Sequence, residues 1–226
     1  MKTKGPQKGA AMSRIPLVDP ENLTSEQRQV YDTIVAGPRG TVVGPLRAAL
    51  HSAELADRWQ KLGEYLRYRT ALTLRQSELA IISVARHWNS NLEWSIHSEV
   101  ALGAGLDPAV VDAIRHARSP VFTDATEALI YEYTRQMLAH GQVADEVYAD
   151  LYASFTEVQM VELTALVGYY TMVAMTLNAH AIPAPAGGGQ LPQVSSPSHS
   201  PARVTLLAES SREPVANAAK SFATLP

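Results

Sequence analysis

The 226-residue chain contains no cysteine. Without thiols it has no disulfide framework, no thiolate nucleophile and no cysteine-ligated metal site. Redox cycles that pass through a sulfenic acid or a disulfide are excluded for the same reason. Any chemistry in this chain therefore rests on carboxylates, imidazoles, hydroxyls and cationic side chains.

Charged residues are also scarce, at 18% of the chain, and the formal net charge is only -3. No dense stretch of Lys or Arg occurs, so the electrostatic pattern of a nucleic-acid-binding protein is missing. The lysines near the N-terminus precede no apolar run, which argues against a secretory signal. The most apolar window, residues 163–177, is too short to span a bilayer. We therefore expect a cytoplasmic protein that binds neither nucleic acid nor membranes.

Composition divides the chain into three parts. Residues 1–14 are rich in Lys, Gly and Gln, and we predict a disordered lead-in there. Residues 15–186 carry the periodic apolar pattern and are long enough to bury one core, which predicts a single domain. Residues 187–226 are rich in Gly, Pro, Ser and Ala and cannot bury enough apolar surface to fold alone, which predicts a disordered tail.

Within residues 24–178, apolar side chains recur at helical spacing, and no segment shows the alternation of a strand. Three capping boxes, in which a Thr is followed three residues later by a Gln, predict helix starts at Thr24, Thr73 and Thr156. The stretch 37–45 is rich in Gly and Pro and is predicted to be a loop. The chain is therefore predicted to be all-α.

Glu93 and His97 form the pair with the clearest chemical potential. Four residues apart on a predicted helix, they lie on one face and can share a proton or a ligand. The apolar neighbours Leu92, Trp94 and Ile96 predict that this helix is largely buried, and a buried carboxylate needs a partner. The pair therefore favours acid–base chemistry. The alternative is a helix-surface ion pair worth about 0.2–0.5 kcal/mol.

Several segments of the chain share their pattern with a known family. They include LAIISVARHW at residues 79–88, LEWSIH at 92–97, AGLDPAVVDAI at 104–114 and TEVQMVEL at 156–163. With these segments, residues 15–185 resemble the carboxymuconolactone decarboxylase family of the alkylhydroperoxidase D-like superfamily. The resemblance implies an alkylhydroperoxidase D-like helical bundle that works without a cofactor, as a homotrimer or homohexamer.

The same resemblance implies a set of catalytic residues. In the peroxidase branch of the superfamily, a Cys-x-x-Cys pair is followed one turn later by a His and preceded about three turns earlier by a Glu. On this chain the cysteine positions fall on Ser90 and Glu93, and the other two fall on His97 and Glu78. The resemblance thus implies Glu78, Glu93 and His97 as catalytic groups, without thiol peroxidase activity. Glu78 could equally be a solvated carboxylate favoured by the helix dipole.

Four further residues are predicted to bind substrate, namely Arg86, His87, Ser90 and Trp94. Arg86 could hold a substrate carboxylate through paired hydrogen bonds, or it could neutralise Glu78 or Glu93. His87 could also be a helix-end residue that interacts with free carbonyls. His87, Glu93 and His97 would make a two-His, one-carboxylate metal set, but their spacing matches no strong signature, and we predict no metal.

Together these features predict a cofactor-independent enzyme that acts on a small carboxylated, lactone or enolisable metabolite, as in aromatic catabolism. Its reaction would be a decarboxylation, or a related isomerisation or hydration, with Glu and His as the acid–base groups. The alternative is a non-catalytic, oligomeric protein of the same fold that binds a small ligand or a partner. The helix predicted from Thr156 to Asn178 is apolar nearly all round, which favours an oligomer.

Overall fold

A computed structural model describes residues 13–184 and 190–193, together with the backbone of residues 205 and 206. Of the domain predicted for residues 15–186, all but the last two residues are described. The lead-in predicted for residues 1–14 and the tail predicted from residue 187 lie mostly outside the described residues.

The predicted all-α class is confirmed. The helices are Ser25–Ala36 (α1), Gly44–Ala49 (α2), Ala53–Tyr68 (α3), Leu74–His87 (α4), Asn91–Gly103 (α5), Pro108–Arg115 (α6), Ala125–His140 (α7), Asp145–Tyr152 (α8) and Glu157–Ala179 (α9). A 3-10 turn, Pro20–Asn22, precedes α1. Two short strands, Val121–Phe122 (β1) and Thr205–Leu206 (β2), pair in parallel, a feature that the sequence pattern did not predict.

All three predicted capping boxes form. The side chains of Thr24, Thr73 and Thr156 each accept a hydrogen bond from the backbone N–H three residues later, and the Gln side chain at that position accepts one from the Thr backbone N–H. These bonds satisfy N–H groups that the first turn of a helix leaves without a partner. Local sequence therefore determines where α1, α4 and α9 begin.

The short helix α2 lies partly in the stretch 37–45 that was predicted to be a loop. It begins after Val43, whose side chain makes no cap hydrogen bond, and it has only six residues. Helices this short are not stable alone and depend on packing. Leu46 and Ala48 are buried, and α2 packs against α3 and α9. Tertiary contacts, rather than capping residues in the local sequence, therefore stabilise this helix.

The central element of the fold is α4, which packs against α5, α7 and α9. Every residue from Ser77 to Arg86 is buried, including the polar and charged ones. A polar side chain on this helix cannot reach bulk water and needs a partner inside the protein. This position places Glu78 in the interior, next to α5.

The longest helix, α9, is half core and half surface. With 23 residues, the helix is long and apolar enough to cross a membrane. The window of residues 163–177 used in the sequence prediction therefore underestimated the length of this apolar helix. Of its most apolar window, 56% is buried inside the fold, as in a helix that packs against a protein core. Exposed apolar side chains, such as Val161 at 68% and Met175 at 52%, remain on the other side.

Residues 190–193, within the predicted disordered tail, lie on the helical domain. The backbone N–H of Leu191 donates to Asn91 Oδ1 at 2.8 Å, and Leu191 is buried. The carbonyl of Pro192 accepts from Arg86 Nη1 at 3.2 Å, and that of Gln190 accepts from an arginine of α6 at 3.0 Å. Because these contacts use the backbone of the segment, its side-chain composition did not reveal them. The disorder predicted for residues 187–226 stays a prediction, because most of these residues lie outside those that the structure describes.

Candidate functional site

Three buried side chains meet between α4 and α5. Glu78 Oε2 lies 2.7 Å from His97 Nδ1, and Glu93 Oε2 lies 3.5 Å from His97 Nε2. The side chains of His97, Glu78 and Glu93 are 3%, 1% and 7% exposed. The imidazole is thus placed between two carboxylates in an interior with little water. We call this group the Glu78–His97–Glu93 triad.

Helix geometry explains how the triad forms. Glu93 and His97 are one turn apart on α5 and therefore share a face. The link from α4 to α5 is only three residues, Trp88 to Ser90, and Asn89 adopts a left-handed conformation with φ of 51°. Asn tolerates that conformation better than most residues. The tight reversal brings α5 back against α4, so that His97 reaches Glu78.

Glu78 sets the orientation of the His97 ring. When Glu78 is ionised it can only accept a hydrogen bond, so in that form Nδ1 donates its proton to Glu78, while Nε2 faces Glu93. The ring also meets Tyr170 of α9 edge-on, with 5.0 Å between ring centroids. A small approach of Glu93 to Nε2 brings the pair within hydrogen-bonding distance, and a proton can then pass between them.

Burial dominates the electrostatics of Glu93. Removal from water raises the pKa of the Glu93 carboxyl, and the charges of His97, Arg67 and Arg39 lower it by less. Glu93 therefore keeps its proton to higher pH than an exposed glutamate does. A carboxyl group with a raised pKa beside an imidazole is suited to give and take protons.

We expect Glu93→Gln to stabilise the protein relative to wild type, increasingly as the pH rises. Because the pKa of Glu93 is higher in the folded than in the unfolded state, ionisation of Glu93 costs stability once the pH passes the unfolded value. The difference in Tm between variant and wild type should thus be small near pH 4 and grow towards pH 8. Thermal unfolding at several pH values measures it. Glu99→Gln, an exposed site on the same helix, should show no such trend.

The four predicted substrate-binding residues lie at or near the junction of α4 and α5. Arg86 is buried, and burial lowers its pKa. Its described hydrogen bond goes to Pro192 rather than to Glu78 or Glu93, so neutralisation of those carboxylates is not observed in the described residues. Ser90 occupies the N-cap position of α5 and is 1% exposed, but its hydroxyl makes no capping hydrogen bond and has no partner within the described part of the chain. Trp94 packs in the core, and half-buried His87 meets the Trp88 ring edge-on.

Residues 53–131 match the model of the carboxymuconolactone decarboxylase family. The family resemblance is confirmed. The matched residues run from α3 into α7 and include all three residues of the triad. No curated protein matches the sequence.

Two solved structures have the same fold. One is an uncharacterized peroxidase-related protein from Silicibacter sp. TM1040, with a TM-score of 0.64 and 17% identity over 83% of this chain and 100% of that chain. The other is an alkylhydroperoxidase AhpD core, an uncharacterized peroxidase-related protein from Ralstonia eutropha JMP134. It has a TM-score of 0.63 and 14% identity over 79% of this chain and 95% of that chain. At these identities the likeness shows the fold alone.

Sequence reasoning missed two arginines beside the triad. The charges of Arg39 and Arg67 both act on Glu93, although Arg39 precedes the residues that match the family model and Arg67 lies early in them. Arg39 comes from the loop before α2, and Arg67 comes from the last turn of α3. One signal was present: Trp59, Gly63 and Arg67 follow one another at four-residue spacing and therefore share a face of α3.

The described residues contain no group of three His, Cys, Asp or Glu side chains arranged to hold a metal ion. A cavity of about 490 Å³ lies between α1 and α3, outside the triad. Its lining includes Glu26, Glu54, Asp57 and Lys61 but none of the triad residues. The triad is therefore spatially separate from this cavity.

Proposed function

We propose that the protein is a cofactor-independent enzyme of the carboxymuconolactone decarboxylase type, acting on a small carboxylated, lactone or enolisable metabolite. The observation that carries this proposal is the buried Glu78–His97–Glu93 triad, in which an oriented imidazole lies beside a carboxyl group of raised pKa. Such a pair of titratable groups, tuned by burial, is typical of general acid–base sites.

A decarboxylation needs little more than this arrangement. The bond between the carboxylate and its neighbouring carbon breaks, CO₂ leaves, and the electron pair passes into an enolate or dienolate. The triad then delivers one proton to the carbanion carbon through Glu93 and His97 Nε2, and water restores that proton to the triad. Glu78 keeps its hydrogen bond to Nδ1 and stabilises the imidazolium form of His97. An isomerisation would use the same groups to remove and return a proton.

The test is an assay of the purified protein on lactone acids and on enolisable keto acids. Release of CO₂ or a change in ultraviolet absorbance should reveal turnover, and the rate should be unchanged by EDTA or by a thiol reductant. Loss of turnover on addition of EDTA would instead favour a metal site. The same assay, run on variants of the triad, shows whether these residues are needed for turnover.

The burial of the triad also favours a second candidate function. With exposures of a few per cent, the three side chains have little direct access to solvent, as expected of a structural pair in a ligand-binding or partner-binding protein. In that case no compound of either class is turned over, and the His97 and Glu93 variants change stability alone. The assay therefore separates the two functions.

We further propose that the exposed face of α9 joins copies of the chain into a homotrimer or homohexamer. Exposed apolar or small residues follow one another on α9 at spacings of three and four, the pattern of a helix that packs along another helix. They are Val158, Val161, Ala165, Gly168, Met172 and Met175. An apolar stripe of this length is seldom left in water.

Placing a charge in this stripe should dissociate the assembly. We expect Val161→Glu to give a monomeric mass by light scattering at micromolar concentration, because the carboxylate would be desolvated in the contact. Leu102→Glu, at a similarly exposed apolar site on α5, should keep the wild-type mass. A wild-type protein that is monomeric at this concentration would refute the proposal.

A further inference from the structure

Arg39 and Arg67 differ from the other arginines of the described residues in their contacts. Every other arginine in the described residues forms an ion pair with a carboxylate or donates a hydrogen bond to a backbone carbonyl. Arg39 and Arg67 do neither within the part of the chain that the structure describes. Arg39 Nε is buried there without an acceptor, and Arg67 lies over the ring of Tyr68 at 5.4 Å.

Arg39 is held against the backbone of α3. A Cβ atom added to Gly63 would lie 2.5 Å from Arg39 Nη2 and 2.0 Å from the Tyr169 hydroxyl oxygen. The guanidinium and the phenol therefore meet directly on the surface that this glycine leaves open. Arg67 projects from the next turn of the same helix face. Arg39 thus rests on the face of α3 from which Arg67 projects one turn later.

Aromatic rings connect this pair of cations to the triad. Tyr169 meets Tyr170 edge-on at 5.4 Å, and Tyr170 meets the His97 ring at 5.0 Å. Both arginine charges also act on Glu93. The cations and the acid–base groups therefore belong to one region between α3, α5 and α9.

Neutralisation of Glu93 does not account for the two arginines. Neither forms an ion pair with Glu93 among the contacts of the described residues, where His97 is the group at ion-pair distance. Their combined charge also fails to offset the effect of burial, which keeps the pKa of Glu93 raised. Two cations are present where the described residues supply no ion-pair partner for them, which is the arrangement of a site for an external anion.

We infer that Arg39 and Arg67, with the Tyr169 hydroxyl, form a subsite beside Glu93 that binds the carboxylate of a small organic acid. This inference rests on the proposed function, because it assigns the group that orients the substrate at the same site. Paired donors from two guanidinium groups recognise a carboxylate by charge and by geometry. A neutral analogue of the same shape would leave those cations without a partner.

The probe for this subsite is benzoate, with benzamide as its neutral match, titrated against the full-length protein by isothermal titration calorimetry. Wild type should bind benzoate more tightly than benzamide. In the double variant Arg39→Gln/Arg67→Gln the benzoate affinity should fall by at least about tenfold, as expected on loss of charged hydrogen bonds. The Lys double variant should retain part of the affinity, since the charge stays while the paired donor geometry is lost.

The matched control is Arg58→Gln/Arg69→Gln, which removes two charges from exposed positions at or beside the same helix and should bind benzoate as wild type does. Equal benzoate affinity in wild type and in the Arg39/Arg67 double variant would overturn the inference, as would equal binding of benzoate and benzamide. His97→Ala should still bind benzoate. If it does while no compound is turned over by wild type, the proposed function fails and the anion subsite stands.

Discussion

If the proposed function holds, replacement of His97 by Ala should lower kcat/KM by about 10²–10⁴ on any substrate that the protein turns over, because a positioned general acid contributes an effect of that size. Glu93→Gln should lose a comparable factor. The amide has nearly the same shape as the carboxyl group but cannot exchange a proton with His97 Nε2, which lies 3.5 Å away. Steady-state rates of wild type and both variants, measured on the same substrate, check this prediction.

Two controls separate chemistry from structure. His116→Ala removes an exposed imidazole that pairs with Asp112 on α6, and it should leave the rate unchanged. Helical content measured by circular dichroism should be nearly the same in all variants, since one polar side chain seldom decides a fold of this size. Full activity in His97→Ala would show that His97 is not needed for the reaction and that other residues carry it.

Gly63→Ala should destabilise the protein, although Ala is normally the better helix residue. In an exposed helix the change is worth about 0.5–1 kcal/mol in favour of Ala. At Gly63 the new methyl group would meet the buried Tyr169 side chain at 2.0–2.5 Å, and overpacking of this kind costs about 1–3 kcal/mol. We therefore expect Tm to fall by about 2–10 °C in thermal unfolding.

A double-mutant cycle tests whether the contact with Tyr169 causes the loss of stability in Gly63→Ala. Gly103→Ala, at the exposed end of α5 where a Cβ meets nothing within 4 Å, should be neutral or slightly stabilising. In a Tyr169→Leu background the cost of Gly63→Ala should shrink, because the colliding ring is gone, and the coupling should be about 0.5–3 kcal/mol. Additive effects would mean that Tyr169 and the α3 backbone are not in contact.

The helices and the triad were accessible from sequence because their signals are local or periodic. Glu93 and His97 lie one turn apart, so helix geometry alone places them on one face. Pairing with Glu78 followed from the spacing in the family resemblance, and the 2.7 Å hydrogen bond agrees with it. Capping boxes determined where α1, α4 and α9 begin.

Other features depend on tertiary packing and left no local pattern. Arg39 reaches the site from a loop far from Glu93 in sequence, and only the fold shows that it rests on Gly63. The short helix α2 is held by contacts with α3 and α9 rather than by its own capping. The segment 190–193 binds through backbone groups, which every residue possesses.

The segment 190–193 also affects the order in which the folded protein is completed. Leu191 binds Asn91 across 100 positions and Pro192 binds Arg86 across 106 positions, so both bonds close very long loops. All three residues of the triad leave the ribosome well before the residues that bind the junction of α4 and α5. The helices can pack first, and the segment then forms its hydrogen bonds to the junction next to the triad. The bonds of this segment to the junction of α4 and α5 can therefore form only after residue 192 has been synthesised.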